Sequence, residues 1–143
     1  MSVNLITHDE RWQIEESRIL FVVKAVRDHL GVPEDEEVAL VLMNDAEIQG
    51  YNAQYRQKDK PTNVLSFPST DEYEWGDVMF SYDRVAEEAD TQGKSFNDHF
   101  LHLLVHGLLH ISGYDHEEDA EAEEMEALEV TILSKLGIAN PYV

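Results

Sequence analysis

Cysteine is absent from the 143 residues. That excludes a disulfide framework and thiolate metal ligands, and it fits a reducing compartment. Cations are scarce, with 10 Lys and Arg against 30 Asp and Glu and a formal net charge of −20. Such a balance ordinarily argues against a nucleic-acid partner, because phosphate contacts need Lys and Arg. No apolar run approaches the roughly 20 residues of a membrane span, and no basic region followed by a long apolar stretch opens the chain. A cytoplasmic protein without a membrane segment or signal peptide is therefore expected. There is no internal repeat, low-complexity linker or second composition block, so a single domain over 1–143 is expected.

The charge is unevenly spread. Residues 117–129 hold eight acidic groups, from Glu117 to Glu129, and no basic one; this segment reads as a solvated helix face. Arg56, Lys58 and Lys60 form the densest basic run, and any polyanion is expected to be met there.

The periodicities outline the elements. Residues 2–6 read as a strand, and Thr7 with Glu10 has the spacing of a capping box. A helix then carries Ile19, Val22, Val23, Val26 and Leu30 on one stripe and stops at Gly31. Val38–Met43 is a continuous apolar run, expected as a buried strand parallel to the first. Asn44 and Glu47 cap a helix ending near Arg56. Val64–Phe67, followed by Pro68, reads as an edge strand, residues 69–75 as a loop and 76–81 as a further strand. Asp83 is expected to cap a helix ending by Gly93, and Ser95 with Asp98 to cap the next one. A last helix carries Ala122, Met125, Leu128, Ile132 and Leu136, with Gly137 as its stop. Interleaved strands and helices give the class α+β, with a mixed sheet of about four strands packed by about five helices.

The chemistry concentrates in His106-Gly107-Leu108-Leu109-His110-Ile111-Ser112-Gly113-Tyr114-Asp115-His116. Histidines four apart share a helix face, so two imidazoles can converge on one metal. Gly113 can take positive φ and fold the chain back so that His116 arrives from outside the helix axis. Three imidazoles with an open fourth position suit zinc hydrolysis, in which the bound water becomes acidic. The spacing resembles the metzincin motif His-Glu-x-x-His-x-x-Gly-x-x-His, except that Gly107 stands where that motif has its general base. This departure favours the metal and disfavours a metallopeptidase.

Two separated stretches carry a closer resemblance, to the YbeY metal-dependent endoribonucleases. They are Asn52-Ala53-Gln54-Tyr55-Arg56-Gln57-Lys58-Asp59-Lys60-Pro61-Thr62-Asn63-Val64-Leu65-Ser66-Phe67-Pro68 and His106–His116 continuing to Met125; Gly76-Asp77-Val78 is a weaker third. The resemblance implies a zincin-like fold and one zinc held by His106, His110 and His116, with nickel as another possible metal. It further implies an arginine at Arg56 needed for RNA cleavage, and a role in 16S ribosomal RNA 3′ end maturation and ribosome quality control. On this reading a metal-activated water attacks a phosphodiester of single-stranded RNA, Arg56 meets the charge that builds on the phosphate oxygens, and Lys58 and Lys60 guide the backbone. His102, one turn before His106, is a candidate base, and Asp115 a turn-shaping group. The expected partners are ribosomal RNA and the ribosome or a basic ribosomal protein. Asn63 departs from the family's usual aspartate. The competing reading is a ribosome-assembly binding factor whose zinc is structural.

Overall fold

A computed structural model describes residues 2–142. It contains a four-stranded sheet in the order β1-β2-β4-β3. Strands β1 (Val3–Thr7) and β2 (Glu37–Met43) are parallel, and β4 (Glu74–Ser81) runs parallel to β2. The edge strand β3 (Val64–Pro68) is antiparallel to β4. Five helices complete the α+β architecture among the described residues: α1 (Glu16–Leu30), α2 (Asp45–Arg56), α3 (Tyr82–Gln92), α4 (Phe96–Ile111) and α5 (Asp119–Lys135). None is long and apolar enough to cross a membrane.

Alternation along β2 separates two cores. Val38, Leu40 and Leu42 join the main core with α1, α4 and α5, whereas Met43 meets Ile48 of α2 and Leu65 of β3 in a smaller cluster on the other face. Helix α4 is the central element of the main core, with Phe100, Leu101, Leu104, Val105, Leu108 and Leu109 fully buried.

Several local expectations hold. Gly31 ends α1 at φ 73°, the Asn44 side chain accepts from the Glu47 N–H at 3.0 Å, and Ser95 Oγ accepts from the Asp98 N–H at 3.1 Å. Others are corrected. Thr7 closes β1 instead of capping a helix; the intervening turn is held by Arg11 on Asp9 and by buried Trp12, whose indole N–H donates to the Met43 carbonyl at 3.0 Å. The side-chain cap of α3 is Ser81, whose Oγ accepts from the Arg84 N–H. Asp83 instead receives the Arg11 guanidinium and the Asp45 N–H. Strand β4 begins at Glu74, before the expected 76, because Trp75 is buried and its indole N–H donates to Ser112 Oγ at 2.8 Å.

Helix α4 lies on the sheet at Gly107. A Cβ there would stand 2.6 Å from Val78 Cγ1, 3.3 Å from Ser66 Oγ and 3.4 Å from Val64 Cγ2, and Val78 and Ser66 are cross-strand partners. The missing side chain lets the helix axis approach β3 and β4. Gly107→Ala gains about 1 kcal/mol of helix propensity but overpacks a stiff β-branched neighbour at about 1–3 kcal/mol. We expect a net loss of stability of about 1 kcal/mol, read as a lower urea midpoint at unchanged slope.

Candidate metal centre and phosphate site

His106 and His110 project from the same stripe of α4. The helix ends at Ile111, and Gly113 at φ 103° turns the chain, after which His116 comes back against the other two. The ring centroids lie 4.7 Å (His106–His110), 5.4 Å (His106–His116) and 4.9 Å (His110–His116) apart. One nitrogen from each ring can be chosen so that all three lie within 4.8 Å of one another. Asp115 shapes this turn, its carboxylate accepting from the His116 N–H at 2.7 Å.

These residues can hold a metal ion. Ligand nitrogens about 2.0–2.1 Å from a zinc ion would fall inside the observed spread after small side-chain adjustments. Burial, followed by the neighbouring His106 and His116, pushes His110 below its usual imidazole value, which favours the neutral form that a metal requires.

The same cavity, about 600 Å³, is lined by Arg56, Lys58, Lys60 and Ser66 together with the three histidines. The fold therefore joins the two stretches singled out in the sequence. Arg56 ends α2 and reaches around the sheet edge, where Nη2 donates to the Ser66 carbonyl of β3 at 2.7 Å and the guanidinium lies 5.2 Å from the Phe67 ring centre. Gln57 then takes a left-handed conformation at φ 55°, unusual for a residue with a side chain, and starts the cationic loop. Buried Asn52 fixes that loop from below, donating to the Lys60 carbonyl at 2.9 Å, while the Lys58 N–H donates to the Asn52 carbonyl.

Among the described residues, Arg56, Lys58 and Lys60 form no salt bridge, whereas Arg11 is paired with Asp9 and Asp83, Lys24 with Asp28, and Arg84 with Asp45 and Glu87. In so acidic a chain, Arg56 is held through its guanidinium and the two lysines through their backbone, in a cavity that Asp115 and Glu117 also line.

His102 lies elsewhere. It lines an adjoining cavity of about 500 Å³ that shares His106 with the first, and its Nε2 is 2.6 Å from Glu129 Oε1. Glu129 is the residue that sequence reasoning misplaced: counted with the solvated acidic face, it is 1% exposed. The signal was present, since Met125, Glu129 and Ile132 continue the helical spacing of the buried stripe. Burial alone would raise the Glu129 carboxyl, but hydrogen bonds from His102 and His106 bring it down to about 2. Asn63, the departure from the resemblance, donates to Glu88 at 3.0 Å; an aspartate there would face that carboxylate.

The family model described as endoribonuclease YbeY matches residues 5–137. The chain belongs to the YbeY family. A Paramagnetospirillum magneticum relative named endoribonuclease YbeY is 51% identical over 116 residues, 74% of this chain and 71% of the relative. An Acinetobacter baumannii relative of the same name is 44% identical over 140 residues, 91% and 89% of the two chains. A Rhizobium etli relative is 42% identical, covering 99% and 93%. A solution structure of a Thermotoga maritima protein superposes with a TM-score of 0.60 at 26% identity, covering 94% of this chain and 91% of that one.

The metal reading of this YbeY-family site has a direct measurement. Zinc at roughly one hundred times its Kd should stabilise the protein by about 2.7 kcal/mol in thermal melts, and His110→Ala should abolish the gain. With its ring held below the ordinary value of 6.5, His110 stays neutral to lower pH than a free imidazole. Zinc should accordingly remain bound at pH 6.5 and be released with proton uptake as the pH falls further, followed by dialysis and elemental analysis.

Proposed function

We propose that the chain is a zinc-dependent endoribonuclease acting on single-stranded RNA, its whole length working as one hydrolase domain. The observation that carries this reading is the shared cavity: three converging imidazoles face three cations without carboxylate partners. The names of the relatives supply the reaction class. Zinc on His106, His110 and His116 would supply a Lewis acid and lower the pKa of its water; nickel suits the same imidazole set.

The chain's own residues supply the rest. Arg56 is tethered through one nitrogen to Ser66, which leaves the other N–H groups of its planar fork for the non-bridging oxygens of a phosphodiester, where charge grows as the phosphorus is attacked. Its seat on Phe67 and on the strand edge limits its freedom, so less ordering is needed when phosphate binds. Lys58 and Lys60, on a loop fixed by Asn52, act as point charges that hold the flanking backbone. The open edge of β3 offers a floor for one extended strand.

Position 107 offers no base, because a side chain there would run into β4. This weighs against peptide hydrolysis. The biological substrate in this reading is the 3′ end of 16S ribosomal RNA, cut during maturation and ribosome quality control in the cytoplasm, with the ribosome or a basic ribosomal protein as partner. The acidic face of α5 suits such a basic protein.

Arg56→Ala should cut single-stranded RNA about 10²- to 10³-fold more slowly while binding zinc as before. Rates on a labelled oligonucleotide, taken beside elemental analysis, check this. Equal rates for the two proteins would reject the role of Arg56, and absence of cleavage by the zinc-loaded unaltered chain would favour a binding factor with structural zinc.

A further inference from the structure

Glu129 is the only buried carboxylate among the described residues, and no Lys or Arg compensates it. Three groups converge on its Oε1. His102 Nε2 lies at 2.6 Å, the Tyr142 hydroxyl donates at 2.9 Å, and His106 Nδ1 lies at 3.5 Å. Its Oε2 has no hydrogen-bond partner.

Burying a carboxylate is costly, and with no Lys or Arg at hand the imidazoles of His102 and His106 and the Tyr142 hydroxyl offset that cost. With Nδ1 of His106 turned to Oε1, a proton on that nitrogen is stabilised and the lone pair of Nε2 is left free. A divalent cation on Nε2 would then place positive charge across the imidazole from Glu129. We infer that Glu129 is a positioning residue for the metal, fixing the tautomer and orientation of His106 from α5.

His102 and Tyr142 keep this carboxylate in place. The Tyr142 ring stands edge-on to His102 at 5.4 Å, and Lys94 Nζ donates to the Pro141 carbonyl at 2.9 Å, tying down the segment that carries Tyr142. On this reading His102 acts on the metal through Glu129. The inference rests on the metal reading and is independent of RNA cleavage.

The test is metal affinity in the full chain. Zinc Kd is measured by chelator competition, and the visible absorption of the cobalt(II) form reports the coordination directly. Glu129→Gln keeps the shape and an acceptor but removes the charge; it should bind both metals about 10- to 100-fold more weakly while retaining the circular dichroism of the folded chain. Glu123→Gln, which removes the same charge from an exposed position of α5, should bind as the unaltered chain does. If Glu129→Gln does not fold, Glu129→Asp takes its place, since it keeps the charge but withdraws it from His106 by one methylene and should also weaken binding. A folded Glu129→Gln or Glu129→Asp with unaltered affinity and cobalt spectrum would overturn the inference, as would an equal loss in Glu123→Gln. Absence of zinc binding by the unaltered chain would overturn it together with the metal reading, whereas failure to cut RNA would leave these constants untouched.

Discussion

The close contact of α4 with the sheet at Gly107 is the constraint on which the site depends. Helix axes normally stand well off a sheet because side chains intervene. Here one position has none, and Val78, Ser66 and Val64 fill the space. The residues on either side of that contact are thereby fixed: the leucines enter the core while His106 and His110 emerge beside the edge strand. Helix α4 carries its packing face together with His106 and His110 on the same rigid body, so the geometry of that pair is as stable as the core. The contact also explains how a helix resembling a peptidase's can serve other chemistry. The position after the first histidine is occupied by the sheet, and a carboxylate cannot be accommodated there.

Charge is organised by the same edge. The fold consumes several of its few cations in structural roles: Arg11 clamps Asp9 and Asp83, Arg84 holds Asp45 and Glu87, and buried Arg27 donates to the carbonyls of Ser2, Pro33 and Glu36. Arg56 is tied to the Ser66 carbonyl, and none of Arg56, Lys58 and Lys60 forms a salt bridge among the described residues. Against the net charge of −20, the histidine-lined cavity gathers three cations that form no salt bridge, together with Asp115 and Glu117. A polyanion would be repelled by most of the surface and accepted along one edge, an arrangement that favours selectivity of approach over affinity.

How much of this was legible in the sequence depended on whether the signal was local. Caps at Asn44 and Ser95 and the stop at Gly31 follow from patterns within a few residues, and the parallel β1–β2 pair from the strand-helix-strand order. The histidine triad was equally legible, since its spacing alone fixes its geometry on a helix and a turn. Glu129 was obscured by its neighbours: amid seven other acidic groups in residues 117–129, a carboxylate on the buried stripe is indistinguishable by composition, and only its phase relative to Met125 and Ile132 betrays it. The part that Asn52 plays was not legible, because its bond to Lys60 depends on how the loop after Arg56 returns. Trp75 was lost in an acidic loop because its partner, Ser112, is 37 residues away. Contacts of that kind are created by the fold and leave no periodic trace.

The three candidate ligands also come from parts of the chain that the core secures unequally. His106 and His110 belong to α4, but His116 lies on the turn leading to α5, and Glu129 returns from α5 to His106. Without a cation, the turn between the two helices is held by Asp115, by the Ser112, Gly113 and Tyr114 N–H groups on the end of α4, and by little apolar burial of its own. A cation at the triad would close a loop from α4 through His116 to α5, so binding energy would appear as order in the turn and in the seating of α5. The acidic face of α5 must tolerate that seating despite its own repulsion, and a divalent charge at the inner end of the helix works against that repulsion. A cation at the triad would thus be as much a part of the fold's closure as of its chemistry, and the two roles would share one histidine, His116, which the core does not position.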